Sequence, residues 1–304
     1  MEKVSILIPT YNAEKDIYQL ISKLYNQKLY NIEIEIIIVD SSSMDNTINI
    51  LLNNFPEVHV KIIDNSNFDH GGTRNYLVSL AKGDYLLFMT QDAIPYDEFL
   101  IQNLINTFKE NDKVLINYAR QMPKDNANPL EIFARNFNYP NTKMLKDSTS
   151  IQTLGIKTFF NSNVCSMYKR IAFDLFGLFP EKIILNEDMI FASKVIFGNY
   201  KIAYSANAKV FHSHSYNINQ QFKRYFDIGM AFEYSKDLLK HVSNEKEGFR
   251  MVLNQIKYLI NVKKPYLIPY AFLETVVKFI AYNIGKRHHN IPLGIKKRLS
   301  AYMK

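Results

Sequence analysis

The run Tyr85-Leu86-Leu87-Phe88-Met89 constrains the fold more than any other stretch of this sequence. It has no polar alternation, so it predicts a strand that is buried on both faces, as in a parallel or mixed sheet covered by helices. Asp92 follows at the carboxyl end of this strand. Because ligands bind at that edge of open α/β sheets, Asp92 is a candidate for holding a metal ion or a phosphate. An aspartate that caps the next helix fits the same pattern.

Strand and helix patterns alternate along the first third of the chain. Strands are predicted over residues 4–8, 34–39, 58–63 and 84–89, and helices over residues 16–27, 47–55 and 75–82. This alternation predicts an α/β fold with a Rossmann-like, mostly parallel sheet, right-handed crossovers and flanking helices.

The rest of the chain is less regular. Further helices are predicted over residues 97–109, 169–176, 187–197 and 217–241, and further strands over residues 114–118, 201–204 and 209–211. Residues 121–163 contain several prolines and many asparagines, which predict an irregular region that can shape a second pocket. We expect one large domain over residues 1–240 and a basic, amphipathic, helical C-terminal region over residues 241–304.

Positive charge is concentrated in that C-terminal region. The chain has a net charge of +8, but residues 249–304 carry eleven Lys and Arg against one acid, so they hold +10 and the rest holds −2. Basic residues among apolar ones predict binding to an anionic membrane surface, and a solvated helical appendage that packs on the body is equally compatible. Pro269, Glu274 and Lys278 interrupt the most apolar window, residues 266–285, so no spanning helix is expected.

A single cysteine, Cys165, excludes an internal disulfide and indicates a reducing compartment. The first apolar run, residues 4–8, is too short for a signal peptide. We therefore expect a cytoplasmic protein, peripheral on the inner face of the plasma membrane. No nucleic-acid partner is expected, and a homo-oligomer is left open.

Acidic residues follow a second predicted strand and open a predicted helix. Asp40 ends the strand over residues 34–39, and Glu187-Asp188 opens the helix over residues 187–197. A helix amino terminus favours negative charge, so Asp188 could stay ionised near neutral pH and act as a general base. Ordinary first-turn acids of a helix are the alternative.

Two histidines and one loop add candidates for ligand binding. His212 and His214 share one side of an extended segment and could bind a divalent cation together with Asp92; without Asp92 nearby they would be surface histidines. The loop over residues 68–74 contains His70, two glycines and Arg74, a composition that suits a phosphate. It matches neither the P-loop nor the dinucleotide-binding pattern, which disfavours nucleotide hydrolysis and dinucleotide redox chemistry.

Five segments of the sequence form a recognisable set of motifs: Val4-Ser5-Ile6-Leu7-Ile8-Pro9-Thr10-Tyr11-Asn12, residues 39–47, Thr73-Arg74-Asn75, residues 81–85 and Asn186-Glu187-Asp188. Together these motifs resemble glycosyltransferase family 2, whose fold is of the GT-A type. Within the family, five further segments resemble bacterial rhamnosyltransferases that build cell-wall or O-antigen polysaccharide. They are residues 68–75, Met89-Thr90-Gln91-Asp92-Ala93, residues 120–123, Asn138-Tyr139-Pro140 and His212-Ser213-His214. The resemblance covers about residues 3–232.

The resemblance implies a role for each candidate residue. Asp188 matches the catalytic base, and Glu187 beside it faces the acceptor. Asp92 matches the second acid of the Asp-x-Asp metal motif, whose first position holds Thr90, and His212 or His214 matches a further ligand of Mg²⁺ or Mn²⁺. The substrate-binding residues implied are Thr10 and Asp40 for the nucleoside, Arg74 for the diphosphate, and also Ser42, His70, Gln91, Glu187 and Arg224.

The reaction implied is an inverting transfer of L-rhamnose from dTDP-β-L-rhamnose, a dTDP-sugar donor, to a glycan or lipid-linked acceptor. Two other hypotheses stay open: a hexosyltransferase that uses a UDP-sugar, and a non-catalytic nucleotide-sugar or glycan-binding module of a synthase complex. The enzyme hypothesis requires Asp40, Asp92, Asp188 and His212 to converge at one edge of the sheet.

Overall fold

The computed structural model describes residues 1–236 and 245–303, which divide into two compact units. The first unit comprises Met1–Lys124, Tyr139–Lys182 and Glu187–His212. The second comprises Asp125–Asn138, Ile183–Asn186 and Ser213–Lys304. The boundary predicted between residues 240 and 241, and the end of the helix predicted over residues 217–241, lie outside the described residues.

The first unit contains a mixed sheet. Its strands are β1 (Glu2–Thr10), β2 (Ile32–Asp40), β3 (His59–Ile62), β4 (Tyr85–Met89), β5 (Ile94–Pro95), β6 (Val114–Met122), β7 (Met144–Lys146), β8 (Cys165–Lys169) and β9 (Lys201–Phe211). They lie in the order β3-β2-β1-β4-β8-β6-β9-β5, and β7 pairs with β9. The first four strands of this order are parallel, whereas β8 is antiparallel to both β4 and β6.

Both units contain helices, and those of the first unit alternate with its strands along the chain. The helices are α1 (Ile17–Tyr25), α2 (Thr47–Asn54), α3 (His70–Leu80), α4 (Leu100–Glu110), α5 (Pro129–Asn138), α6 (Ile151–Leu154), α7 (Ile171–Phe176), α8 (Glu187–Phe197), α9 (Ile218–Tyr234), α10 (Glu245–Asn261), α11 (Ile268–Lys286) and α12 (Leu293–Leu299). Short 3₁₀ helices lie at Asn65–Asn67, Ser148–Ser150, Gly155–Phe159, Pro265–Leu267 and His288–Asn290. The predicted strands over residues 4–8, 34–39, 58–63, 84–89 and 114–118 are confirmed, and Leu86 to Met89 are fully buried.

Helix α3 begins five residues before its predicted start, so the predicted loop over residues 68–74 is wrong. Asp69 caps the helix, because its Oδ2 accepts a hydrogen bond of 2.7 Å from the backbone N–H of Gly72. Gly71 is required for packing: a Cβ there would lie 1.9 Å from the carbonyl oxygen of Pro180. Gly71 therefore serves the close packing of a helix and not a flexible loop.

Three other predictions are wrong in part. No strand was predicted over residues 165–168, which belong to β8. Lys169, the predicted first residue of a helix, is the last residue of β8, and α7 begins only at Ile171. The two short strands predicted over residues 201–204 and 209–211 form one strand, β9, whose pairing with β6 shifts register between Ser205 and Lys209. Residues 121–163 contain α5, β7 and α6, so they are not wholly irregular.

In the second unit, α9 and α11 approach each other closely. A Cβ at Gly229 would lie 2.2 Å from the carbonyl oxygen of Tyr282, and one at Gly285 would lie 2.1 Å from that of Phe226. By length and composition the segment Pro265–Lys286 could cross a membrane, with a mean hydropathy of 1.3 and 17% of its apolar window buried. The sequence had not predicted a spanning candidate there.

Candidate active site

The ends of β1 and β2 meet at Asp40, a fully buried aspartate. Its carboxylate accepts hydrogen bonds from Thr10 Oγ1 at 2.7 Å, from Ser43 Oγ at 2.6 Å and from the Ser43 backbone N–H at 2.7 Å. Ser42 lies between Asp40 and Ser43 in the chain. It has a left-handed φ of 59°, and its hydroxyl donates a hydrogen bond to the carbonyl oxygen of Ile63. Asp40 therefore joins Thr10, at the end of β1, to the polar turn that contains Ser42.

Gln91 connects the end of β1 to the turn after β4. Its Oε1 accepts from the backbone N–H of Tyr11 at 2.7 Å, and its Nε2 donates to the carbonyl oxygen of Tyr11 at 3.0 Å. The side-chain amide of Gln91 thus bonds both the backbone N–H and the carbonyl of Tyr11, which holds the neighbouring Asp92 at the same sheet edge as Asp40. A contact between Gln91 and a substrate stays a prediction.

Asp92 lies next to His212, the residue that follows β9. His212 Nε2 is 3.5 Å from Asp92 Oδ2, and the two side chains are 9% and 17% exposed. Gln121 Oε1 lies 3.0 Å from His212 Nδ1, and the Gln121 amide is oriented by the bond from its Nε2 to Ser162 Oγ. Because Gln121 presents an acceptor, Nδ1 carries a proton, and Nε2 without a second proton would point its lone pair at the Asp92 carboxylate.

Two acceptors that face each other at this distance require a proton or a cation between them. A carboxylate and an imidazole whose second nitrogen is fixed by an outer partner form a donor set that suits a divalent cation. Thr90 Oγ1, in the same turn, is buried and has no hydrogen-bond partner among the described residues. The residues present therefore fit the predicted metal ion.

Asp188 lies in the first turn of α8 with both carboxylate oxygens in hydrogen bonds. Oδ2 accepts from the backbone N–H of Asn163 at 3.1 Å, and Oδ1 accepts from that of Met189 at 2.7 Å. Burial, and then the negative charge of Glu187, raise the pKa of Asp188 to about 7. The helix amino terminus does not keep this carboxyl in its ordinary acidic range, contrary to the simplest expectation from sequence.

Glu187 has the opposite electrostatic environment. Its Oε1 lies 3.1 Å from Arg74 Nη1, in an ion pair whose side chains are 6% and 7% exposed. Burial opposes ionisation of Glu187, but the positive charge of Arg74, with that of His70, more than offsets it and lowers the pKa. The adjacent carboxyls are therefore driven apart in pKa, which is the pattern of an acid–base site.

A buried polar network that the sequence did not predict supports this carboxyl pair. Asn163 Nδ2 donates to Glu187 Oε1 at 3.3 Å, and Asn163 Oδ1 accepts from Tyr168 Oη at 2.7 Å. Asn161 Nδ2 donates to the same Tyr168 oxygen at 2.6 Å. The available signal was the pair of asparagines before β8, and such a pair resembles an ordinary loop in the sequence.

The four residues of the enzyme hypothesis converge at one edge of the sheet, as required. Asp40 accepts a hydrogen bond from Thr10, and the next residue, Tyr11, donates its backbone N–H to Gln91. Gln91 directly precedes Asp92, which faces His212. On the other side, Thr90 donates its backbone N–H to the carbonyl of Val164, which adjoins the Asn163 that holds Asp188.

The other predicted site residues lie as follows. His70 opens α3, and its backbone carbonyl accepts from Arg74 Nη1 at 2.9 Å. In the second unit, Arg224 Nη1 donates to Tyr302 Oη at 3.2 Å, and the His214 ring stacks on Tyr216 with ring centroids 5.2 Å apart. Their roles in binding a substrate or a metal stay predictions.

Comparison with known proteins agrees with the motifs. The family model described as glycosyl transferase family 2 matches residues 5–176. The O-antigen chain rhamnosyltransferase RfbN of Salmonella typhimurium is 38% identical over 302 residues, which covers 99% of this chain and 95% of the relative. The O-antigen chain rhamnosyltransferase WbaN of Salmonella anatum is 39% identical over 307 residues, with coverage of 99% and 95%.

Solved structures agree on the fold. The mannosyltransferase PcManGT of Pyrobaculum calidifontis, in complex with GDP-Man and Mn²⁺, superposes with a TM-score of 0.59 at 14% identity and covers 98% of this chain and 84% of its own. Residues 1–349 of Staphylococcus aureus TarS superpose with a TM-score of 0.55 at 17% identity, covering 94% of this chain and 91% of that fragment. The predicted GT-A fold is confirmed.

Proposed function

The chain belongs to glycosyltransferase family 2, and we propose that it moves L-rhamnose from dTDP-β-L-rhamnose to a glycan or lipid-linked acceptor, with inversion, in the synthesis of a bacterial cell-surface polysaccharide. The observation that carries this proposal is the likeness, over 99% of the chain, to two O-antigen chain rhamnosyltransferases. The buried acid–base pair at the sheet edge supports a catalytic role.

Asp188 is the proposed general base. A base works best when its pKa is close to the operating pH, and the pKa of Asp188 is raised to about 7. Its carboxylate takes the proton of the acceptor hydroxyl while that oxygen attacks the anomeric carbon. The bond to the diphosphate breaks on the opposite face, so the configuration inverts. Glu187, held ionised by Arg74, faces the acceptor beside it.

A divalent cation, Mg²⁺ or Mn²⁺, is proposed at Asp92 and His212. When bound, it stabilises the negative charge that develops on the departing diphosphate. His214 follows His212 by two residues in the chain and is the proposed further ligand. The remaining proposed contacts are with the substrates. Thr10 and Asp40 contact the nucleoside, Arg74 contacts the diphosphate, and the other proposed substrate-binding residues are Ser42, His70, Gln91 and Arg224.

The pH dependence of transfer tests the acid–base pair. We expect kcat/KM to fall about tenfold per pH unit below about 7, because Asp188 must be ionised to accept a proton. Glu187→Gln removes a negative charge that raises the pKa of Asp188, so the acidic limb should move to lower pH. Glu98→Gln, at an exposed ion pair with Lys28, is the matched control and should leave the profile unchanged. If the acidic limb of the kcat/KM profile stays at the same pH in Glu187→Gln, the electrostatic coupling of Glu187 to Asp188 is contradicted.

Donor preference tests the sugar assignment. Transfer assays and thermal shifts with dTDP-rhamnose, UDP-glucose and UDP-galactose should show turnover and the largest stabilisation with dTDP-rhamnose. Turnover with a UDP-sugar alone would instead support the hexosyltransferase. The alternative of a non-catalytic binding module starts from Thr90, which stands in place of the first metal-motif acid. A protein that binds the donor but neither transfers the sugar nor hydrolyses the donor would support that alternative.

We further propose that residues 241–304 attach the protein to an anionic membrane on its cytoplasmic face. The concentrated positive charge of this region supports the proposal. A homo-oligomer stays a prediction.

A further inference from the structure

One side of α11 carries an apolar surface that the described residues leave uncovered. Phe272 and Phe279 are 66% and 69% exposed, and Leu273 and Ile280 are 49% and 47% exposed. Val276 lies three or four positions from each of these residues, so all five share one side of the helix. We call Phe272, Leu273, Val276, Phe279 and Ile280 the α11 apolar face.

The opposite side of α11 packs against α9 and carries the two charged residues in the middle of the helix. It contacts α9 through the close approach at Gly229 and Gly285. Glu274, which is 7% exposed, forms an ion pair with Lys278 one turn later. The apolar face is therefore free of charge.

Cations flank this face at both ends of the helix. Lys263 and Lys264 precede α11, and Lys286 and Arg287 end it. An apolar strip with aromatic residues, bordered by basic side chains, fits the interface of an anionic bilayer, where the strip enters the acyl boundary and the cations meet lipid phosphates. Resting on the proposed membrane attachment of residues 241–304, we propose that the α11 apolar face inserts into an anionic bilayer with the helix axis parallel to the membrane surface.

The packing of α11 favours this orientation over a membrane-spanning one. Helix α9 runs against α11 and contains Lys223, Arg224, Asp227 and Glu233. A spanning α11 would have to carry these charged residues into the hydrocarbon core or lose its contact with α9. Lying in the interface, α11 keeps that contact and buries only its exposed side.

Self-association through the same face is disfavoured by charge. In a parallel pair of α11 helices like ends meet, and in an antiparallel pair opposite ends meet. Both ends are basic, so either arrangement places cations beside cations. An anionic lipid surface neutralises both ends at once.

Tryptophan fluorescence tests the insertion directly. The chain contains no Trp, so Phe272→Trp in the full-length protein introduces one fluorophore on the face. With vesicles of equimolar phosphatidylglycerol and phosphatidylcholine, its emission should shift to the blue and be quenched by lipid-borne quenchers. Leu52→Trp, at a position 61% exposed in α2, should do neither. No blue shift at Phe272→Trp would overturn the proposal.

Flotation with the same vesicles gives a second measurement. Phe272→Ser/Phe279→Ser should lower the vesicle partition coefficient at least tenfold, whereas the control Leu52→Ser/Leu175→Ser should leave it unchanged. Because apolar contact is not screened, part of the wild-type binding should persist at high salt. If the double variant floats with the vesicles as the wild-type protein does, insertion is contradicted. Insertion is also contradicted if the wild-type protein is a dimer and the double variant is a monomer.

These experiments separate the inference from the proposed function. Vesicle binding through the α11 apolar face without any sugar transfer would contradict only the proposed rhamnosyltransferase activity. Sugar transfer to a soluble acceptor without vesicle binding would contradict only the proposed insertion of α11.

Discussion

Asp188→Asn is expected to lower the rate of rhamnosyl transfer by about 10²- to 10⁴-fold, which is the usual contribution of a positioned base. Asparagine has nearly the same shape but cannot take the acceptor proton. The measurement is transfer of radiolabelled sugar under saturating donor, with donor affinity followed separately. Donor binding should survive, because the proposed nucleoside contacts at Asp40 lie at other strands of the sheet.

Stability provides the control for this variant. Burial raises the pKa of Asp188, so ionised Asp188 destabilises the folded state as pH rises from the ordinary aspartate range to above about 7. A neutral asparagine removes that penalty, and the melting temperature at neutral pH should not fall appreciably. Asp174→Asn, at an exposed position in α7, should affect neither activity nor stability. Near-normal transfer by a folded Asp188→Asn enzyme would remove Asp188 from the mechanism.

The parallel half of the sheet was predictable from sequence because β1, β2 and β4 each contain a continuous apolar run and helices follow them along the chain. Strand β8 was not, because Cys165-Ser166-Met167-Tyr168-Lys169 alternates polar and apolar residues although four of the five are buried. Its polar groups are satisfied by partners outside the strand: Ser166 Oγ donates to Asn161 and Tyr168 Oη donates to Asn163. Such compensation depends on tertiary contacts that no local pattern reveals.

The positions of the acidic residues could likewise be predicted, but not their electrostatics. Asp40 and Asp92 follow strands and Asp188 opens a helix, so the rules for sheet edges placed them together. The ion pair of Arg74 with Glu187 joins residues far apart in the sequence, and no spacing rule relates them. That pair and the burial of α8 decide which carboxyl is ionised, so the proton affinities of the site required the fold.

Removal of divalent metal is expected to lower transfer at least about 100-fold, because the departing diphosphate loses its charge stabilisation. Activity in EDTA should return on addition of Mg²⁺ or Mn²⁺. Asp92→Asn should weaken Mn²⁺ binding and remain poorly active even at high metal concentration. His59→Gln, at an exposed position in β3, is the matched control and should bind metal like wild type.

Gln121→Leu tests the same site through a residue that need not touch the metal. The variant removes the acceptor that holds the proton on His212 Nδ1, so the imidazole can rotate or change tautomer. Loss of such an outer partner typically costs about 10- to 100-fold in metal affinity, and we expect that range in a Mn²⁺ titration followed by electron paramagnetic resonance. Added Mn²⁺ should restore much of the activity of Gln121→Leu but not that of Asp92→Asn. Full turnover of the wild-type enzyme in chelator would show instead that a proton, and not a metal ion, joins Asp92 to His212.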